Sequence, residues 1–157
     1  MISFSIPTYK DDSRPIIELY SSRALIDSGA YLTIIDADEE VIRNFFGGVL
    51  LDDNFRAKGI GGEQRTKLYR LKSFTFGQLS YFDIPVNVGA INDNAVDIII
   101  GMSMLGGGIH TEVDTENKCV NFSVPESVRL AHKLWRMNKN IGDWQMLDYK
   151  DGKWINI

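Results

Sequence analysis

The segment Ala24-Leu25-Ile26-Asp27-Ser28-Gly29-Ala30 sets one carboxylate directly after an apolar run and directly before a small hydroxyl and a glycine. A carboxylate emerging from a buried strand loses water, which costs free energy unless nearby groups donate to it. Ser28 carries a hydroxyl donor, and Gly29 offers an amide that a second backbone can approach closely, because glycine has no Cβ. A carboxylate supported in this way suits proton transfer to and from a reacting group. The competing account is an Asp-Ser-Gly turn that caps the next segment, and the tetrapeptide alone does not separate the two.

Two further segments stand in order along the chain. Arg56-Ala57-Lys58-Gly59-Ile60-Gly61-Gly62-Glu63-Gln64 is a glycine-rich turn set between β-forming stretches. Glycines at such a tip tolerate positive φ and permit hinge motion, and Ile60 adds an apolar contact. Val96-Asp97-Ile98-Ile99-Ile100-Gly101 is apolar apart from Asp97, as in a strand buried on both faces, and Met102-Ser103-Met104-Leu105 follows with room for one helical turn. Taken singly, these are an ordinary hairpin turn and an ordinary core strand ending in glycine.

The elements that must position these segments are mostly strands. Ile2, Phe4 and Ile6 alternate with polar residues; 16–20 and 23–26 are rich in β-formers; 55–88 returns to strand character with turns at 59–62 and Gly77-Gln78; and 111–113 and 119–124 flank a turn. One short helix is expected after Asp36, where Glu39 three residues later matches a capping box. Val41, Ile42, Phe45 and Phe46 fall on one face before Gly47-Gly48. Beyond Pro125 the composition shifts: 127–137 has helical spacing and 144–157 reads as a hairpin turning at Asp151-Gly152, which divides the chain into 1–125 and a C-terminal helix and hairpin extension, 126–157.

The three chemical segments together resemble the retropepsin-like aspartic proteases, as a non-viral, bacterial-type, single-domain member, over roughly residues 2–124. The resemblance implies a mainly β, closed acid-protease barrel whose active site lies on a two-fold axis, with Asp27 of each of two chains supplying the catalytic carboxylates. Two carboxylates that close share one proton, an effect for which aspartic proteases are the standard illustration. The ionised one then takes a proton from a water that attacks the peptide carbonyl, and its partner donates to the carbonyl oxygen. By the same resemblance Ser28, Gly29, Ala30 and Gly101 support the site, and Gly59, Ile60, Gly61 and Gly62 form a flap over substrate. Leu32, Ile98 and Ile100 are expected as apolar cleft walls, which favours cleavage between bulky hydrophobic side chains at mildly acidic pH. Retroviral members carry acidic residues just after the tetrapeptide and an Arg after the later glycine; here those places hold Tyr31, Leu32 and Met102. Chain pairing must therefore differ from the viral pattern. A catalytically inactive binding or assembly module on the same fold is the alternative, and oligomeric state discriminates, since a monomer holds only one Asp-Ser-Gly.

Size and composition narrow the rest. A chain of 157 residues fits one domain and is too short for two homologous lobes, so a duplicated site needs a second chain. The 44% apolar and 24% charged composition is that of an ordinary soluble protein, and a net charge of -4 without a basic cluster gives no footprint for nucleic acid or anionic membrane. Neither a signal peptide nor a transmembrane segment is read, and the single cysteine, Cys119, fits a reducing cytoplasm. His110 and His132 lack further ligands at metal spacing. The start at 36–40 lacks the glycine and glutamate a calcium loop requires, so no metal or cofactor is expected.

Overall fold

The structure, a computed structural model, describes residues 2–59, 62–106, 108–124, 133–138, 143–150 and 153–156. In chain order the elements are β1 (Ile2–Pro7), β2 (Ile16–Leu19), β3 (Ser22–Ile26), β4 (Ile34–Ile35), α1 (Glu39–Asn44), β5 (Val49–Gly59), β6 (Gly62–Phe76) and β7 (Leu79–Val88). They continue with β8 (Ile98–Ile100), α2 (Met102–Leu105), β9 (His110–Asp114), β10 (Cys119–Val124), β11 (Lys133–Asn138), β12 (Asp143–Lys150) and β13 (Lys153–Asn156). Among the described residues the fold is mainly β with two short helices, neither long and apolar enough to cross a membrane.

A seven-stranded sheet runs in the order β2-β3-β8-β4-β7-β6-β5, and a three-stranded sheet in the order β1-β10-β9. Alternation explains how they meet. In β10 every second residue is buried, and the inward set Val120, Phe122 and Val124 joins Phe4 of β1 over the core of the large sheet. Phe4 stacks on Phe122 with ring centroids 5.2 Å apart, and Phe76 meets Phe122 edge-on at 5.4 Å. Gly77 sits at φ +56° in the two-residue turn between β6 and β7, and a Cβ there would lie 2.1 Å from the Phe4 ring. Turn geometry and sheet packing both demand glycine at that position.

Three expectations are corrected. The closed barrel is not formed: β2 and β5 are the two edges of an open sheet, and among the described residues no sheet closes on itself. The helix expected over 127–137 gives way to strand at 133–138, which forms β11 and pairs antiparallel with β12. The apolar spacing of 128, 131, 134 and 135 admits a helix, but pairing with β12 satisfies the backbone of 133–138 instead. The hairpin expected after it is present as β12 and β13, with Lys150 opposite Lys153, and β11 lies against β7. Residues 125–132 and the Asp151-Gly152 turn lie outside the described residues.

The third correction concerns α1. The helix forms, but its N-cap is Asp38, with no side-chain cap bond, rather than Asp36. Asp36 accepts from the Ile91 amide at 3.2 Å, and Glu39 turns away to β6. Of the expected apolar face, Ile42 and Phe46 are buried whereas Val41 and Phe45 are exposed, so six residues of helix bury a narrower stripe than the spacing suggests. Gly47 at φ +63° ends it, and the Gly48 amide returns to the Ile42 carbonyl at 2.8 Å.

Candidate functional site

The site is built at the ends of three neighbouring strands. β3 and β8 run parallel, with Ala24, Leu25 and Ile26 opposite Ile98, Ile99 and Ile100. The chain leaves β3 at Asp27, loops across the end of β8 and returns on its other side as β4, which pairs antiparallel with β8 through Ile34 opposite Ile99. The Asp27 amide still donates to the Ile100 carbonyl at 2.9 Å, so the carboxylate projects from the last residue held by the ladder.

The loop is tied down by backbone. The Gly29 amide donates to Asp27 Oδ1 at 2.9 Å, and the Ala30 amide to the Asp27 carbonyl at 3.2 Å. The amides of Met102 and Ser103 donate to the carbonyls of Ala30 and Tyr31 at 2.8 and 2.7 Å, which ties α2 to the same loop. Asp27 is half-buried, Ser28 and Gly29 are exposed, and Ala30 is half-buried.

Gly101 marks the crossing. A Cβ on it would lie 2.7 Å from the Leu32 carbonyl oxygen and 2.9 Å from that of Ala30, both backbone atoms that cannot step aside. Its φ of -101° is open to any residue, so space rather than conformation requires glycine here. The Gly101 amide donates to Thr33 Oγ1 at 3.1 Å, and Thr33 is fully buried. This threonine is a site residue that motif reading passed over. Its signal was a lone hydroxyl in the apolar run Leu32-Thr33-Ile34-Ile35, where an unpaired polar group would cost about 1–3 kcal/mol. Behind it the buried Tyr81 hydroxyl donates to the Met104 carbonyl at 2.6 Å and fixes the end of α2, and burial pushes its phenol well above the ordinary tyrosine range.

The expected wall residues fall on the wrong face. Leu32, Ile98 and Ile100 are 5%, 4% and 0% exposed, placing them in the core beneath the site. Because side chains alternate along a strand, the face that carries Asp27 also carries Leu25, and across the ladder Ile99 and Ile34; all three are half-buried. Asp97, exposed just before the three isoleucines, marks the phase that puts Ile99 rather than Ile98 and Ile100 on the open face.

The β5–β6 hairpin extends beyond β7, with Gly59 opposite Gly62 at its far end; Ile60 and Gly61, the tip of the expected flap, lie outside the described residues. A cavity of about 350 Å³ lies at the base of this hairpin, between Asp36, Glu39, Asp53, Arg65 and Lys67, at the opposite end of β4 from Asp27. Its wall is pinned by Glu39, which accepts from Lys67 Nζ at 2.8 Å and from the Tyr69 hydroxyl. The Lys67 ammonium, then the Tyr69 hydroxyl, hold the Glu39 carboxyl below the usual range. Elsewhere Arg14 bridges Asp12 and Asp93 and so joins the loop before β2 to the loop before β8. No group of three or more potential metal ligands gathers among the described residues.

A family model described as aspartyl protease matches residues 18–104, more than half of the chain, from within β2 to within α2. A crystal structure of a retropepsin-like aspartic protease from Rickettsia conorii is similar with a TM-score of 0.49 at 14% identity, over 78% of this chain and 91% of that one. No curated protein matches the chain.

Proposed function

Since the chain belongs to the aspartyl protease family, we propose that it is an endopeptidase, active as a homodimer in which Asp27 of each copy supplies one of two catalytic carboxylates. The observation that carries this reading is the placement of Asp27: half-buried at the end of a core strand, bonded to the Gly29 amide, in a loop seated on Gly101 without room for a methyl group. Such seating holds a reacting group to a fraction of an ångström, which acid–base catalysis requires.

One chain has one such loop, so the second carboxylate comes from a second copy. Two carboxylates a few ångströms apart hold one proton between them, because ionising both costs too much. The ionised one accepts a proton from a water between the two, and that water attacks the peptide carbonyl carbon. The protonated one donates to the carbonyl oxygen, giving a neutral tetrahedral intermediate. Collapse of that intermediate, with protonation of the leaving nitrogen, breaks the C–N bond and restores the shared proton. Leu25, Ile34 and Ile99, on the face of Asp27, supply an apolar floor for substrate side chains, and the hairpin between β5 and β6 closes over it as a flap. The substrate is a polypeptide with bulky apolar residues at the cut, and the place of action a reducing cytoplasm.

Wild type and Asp27→Asn compared on an unbiased peptide mixture from about pH 4 to about pH 7 test the reading. Cleavage that vanishes in the variant while the dimer persists supports it. A well-folded wild-type dimer that cuts nothing at any pH overturns it in favour of a binding module.

A further inference from the structure

Tyr81 stands on β7, outside the three strands that build the site. Its side chain is 2% exposed, its ring stacks on Phe76 with centroids 5.7 Å apart, and its hydroxyl donates to the Met104 carbonyl at 2.6 Å. Asp83, at φ +52°, interrupts the alternation of β7, so Tyr81 and Ile84 are both buried while Phe82 and Asp83 between them are exposed. A phenylalanine would fill the same space. The phenol also takes a hydroxyl out of water, a loss that is recovered only through a bond, and here that bond goes to α2. A four-residue helix closes few bonds of its own and is held by what it packs against. At its start the Met102 and Ser103 amides hold the carbonyls of Ala30 and Tyr31, in the Asp27 loop; at its end Tyr81 holds Met104, which is fully buried.

From this, and resting on the proteolytic reading above, we propose that Tyr81 is a positioning residue for Asp27, acting through α2. The hydroxyl fixes the end of the helix, the helix fixes the Ala30 and Tyr31 carbonyls, and the loop so held sets the Asp27 carboxylate at the end of β3. The apolar floor is built differently: Leu25, Ile34 and Ile99 stand on β3, β4 and β8 and are placed by the ladders between those strands. Loss of the Tyr81 hydroxyl therefore misplaces the reacting group and leaves the seat of the substrate as it was. A shift of that kind lowers the rate of the chemical step rather than the affinity for substrate.

The test is Tyr81→Phe in the full chain, which removes the hydroxyl and keeps the ring on Phe76, measured well below the melting temperature. Hydrogen exchange at the Met102 and Ser103 amides quickens about 10-fold, and the infrared band of a carbon-13-labelled Met104 carbonyl moves to higher frequency. The kcat for peptide cleavage falls about 10-fold, while KM stays within about 2-fold of wild type. Ile42→Val, which trims a fully buried side chain of α1, lowers the melting temperature but leaves kcat, KM and exchange at those two amides unchanged. A merely structural Tyr81 would behave like it. A ring-fluorinated tyrosine in place of Tyr81 keeps the hydroxyl and makes it a stronger donor, and slows exchange at the same amides, so the answer does not depend on Tyr81→Phe folding. The proposal is overturned by unchanged exchange at both amides in Tyr81→Phe, by a KM that rises while kcat holds, or by a fluorinated protein that exchanges like wild type. Exchange and carbonyl band that change as stated in a protein that never cuts keep the hold of Tyr81 on the loop and remove the protease reading. A wild type that cuts, matched in kcat by Tyr81→Phe, keeps the protease and removes the role of Tyr81.

Discussion

Two carboxylates at opposite ends of β4 are held by opposite means. Asp27 takes a backbone amide at 2.9 Å from Gly29, in a loop whose own residues carry no other charge. Glu39 takes an ammonium from Lys67 and a hydroxyl from Tyr69, both on β6, and its carboxyl is held below the usual range. A carboxylate gripped by a cation is committed to its charged form and works as a structural pin. One positioned by a backbone amide is oriented without a cation against it, the arrangement that the proposed role asks for. The same division appears in how each site resists change: the Asp27 loop depends on an absent methyl group at Gly101, the Glu39 pin on long side chains that can rearrange.

The largest expected break in this contrast is Asp27→Asn, which keeps the amide contact and removes the titratable oxygen. Cleavage falls about 1000-fold or more with melting temperature little changed; equal loss of stability and activity would instead make Asp27 a structural cap. Next is Gly101→Ala. Its methyl meets the Leu32 carbonyl at 2.7 Å and forces the loop off β8, costing about 1–3 kcal/mol by denaturant titration and lowering cleavage with it. An unchanged midpoint would mean the crossing is looser than its geometry.

Thr33→Val sharpens the same side of the comparison, since it preserves shape and leaves the buried Gly101 amide without an acceptor. A loss of about 1–3 kcal/mol is expected, while Thr33→Ser, which keeps the hydroxyl, loses less. The smallest effect lies on the other side, in Glu39→Gln. The folded Glu39 carboxyl titrates below its ordinary value of 4.5, so its stabilisation is present above that pH and is lost as pH falls through the lower, folded value. The melting-temperature gap between wild type and Glu39→Gln is therefore widest near neutrality and closes in acid. A gap independent of pH would show that the Lys67 and Tyr69 contacts act through packing rather than charge.

Much of this was legible without coordinates where the information is local. Asp27-Ser28-Gly29, the strand before it, the turn glycine Gly77 and the helix-ending Gly47 are each dictated by neighbours within a few residues. The family match over 18–104 agrees with the resemblance carried by those segments. What escaped was non-local or degenerate. Glu39 finds its partners 28 and 30 residues away, so its spacing from Asp36 imitated a capping box that never forms. The spacing in 127–137 suited a helix, yet 133–138 pairs with β12 as strand.

The sequence by itself singled out the carboxylate to which the proposed chemistry is assigned and the glycine at the end of β8, because an acid after a buried strand and a glycine closing another are written in residue types. Only the tertiary structure brought Ile34 and Ile99 together on the face of that carboxylate, since they stand on different strands and meet only through the ladder between β4 and β8. It also decided that Thr33 serves the Gly101 amide, and that the Met102 and Ser103 amides tie α2 to the Asp27 loop. The Thr33 contact spans 68 residues of chain, and folding alone brings such residues together.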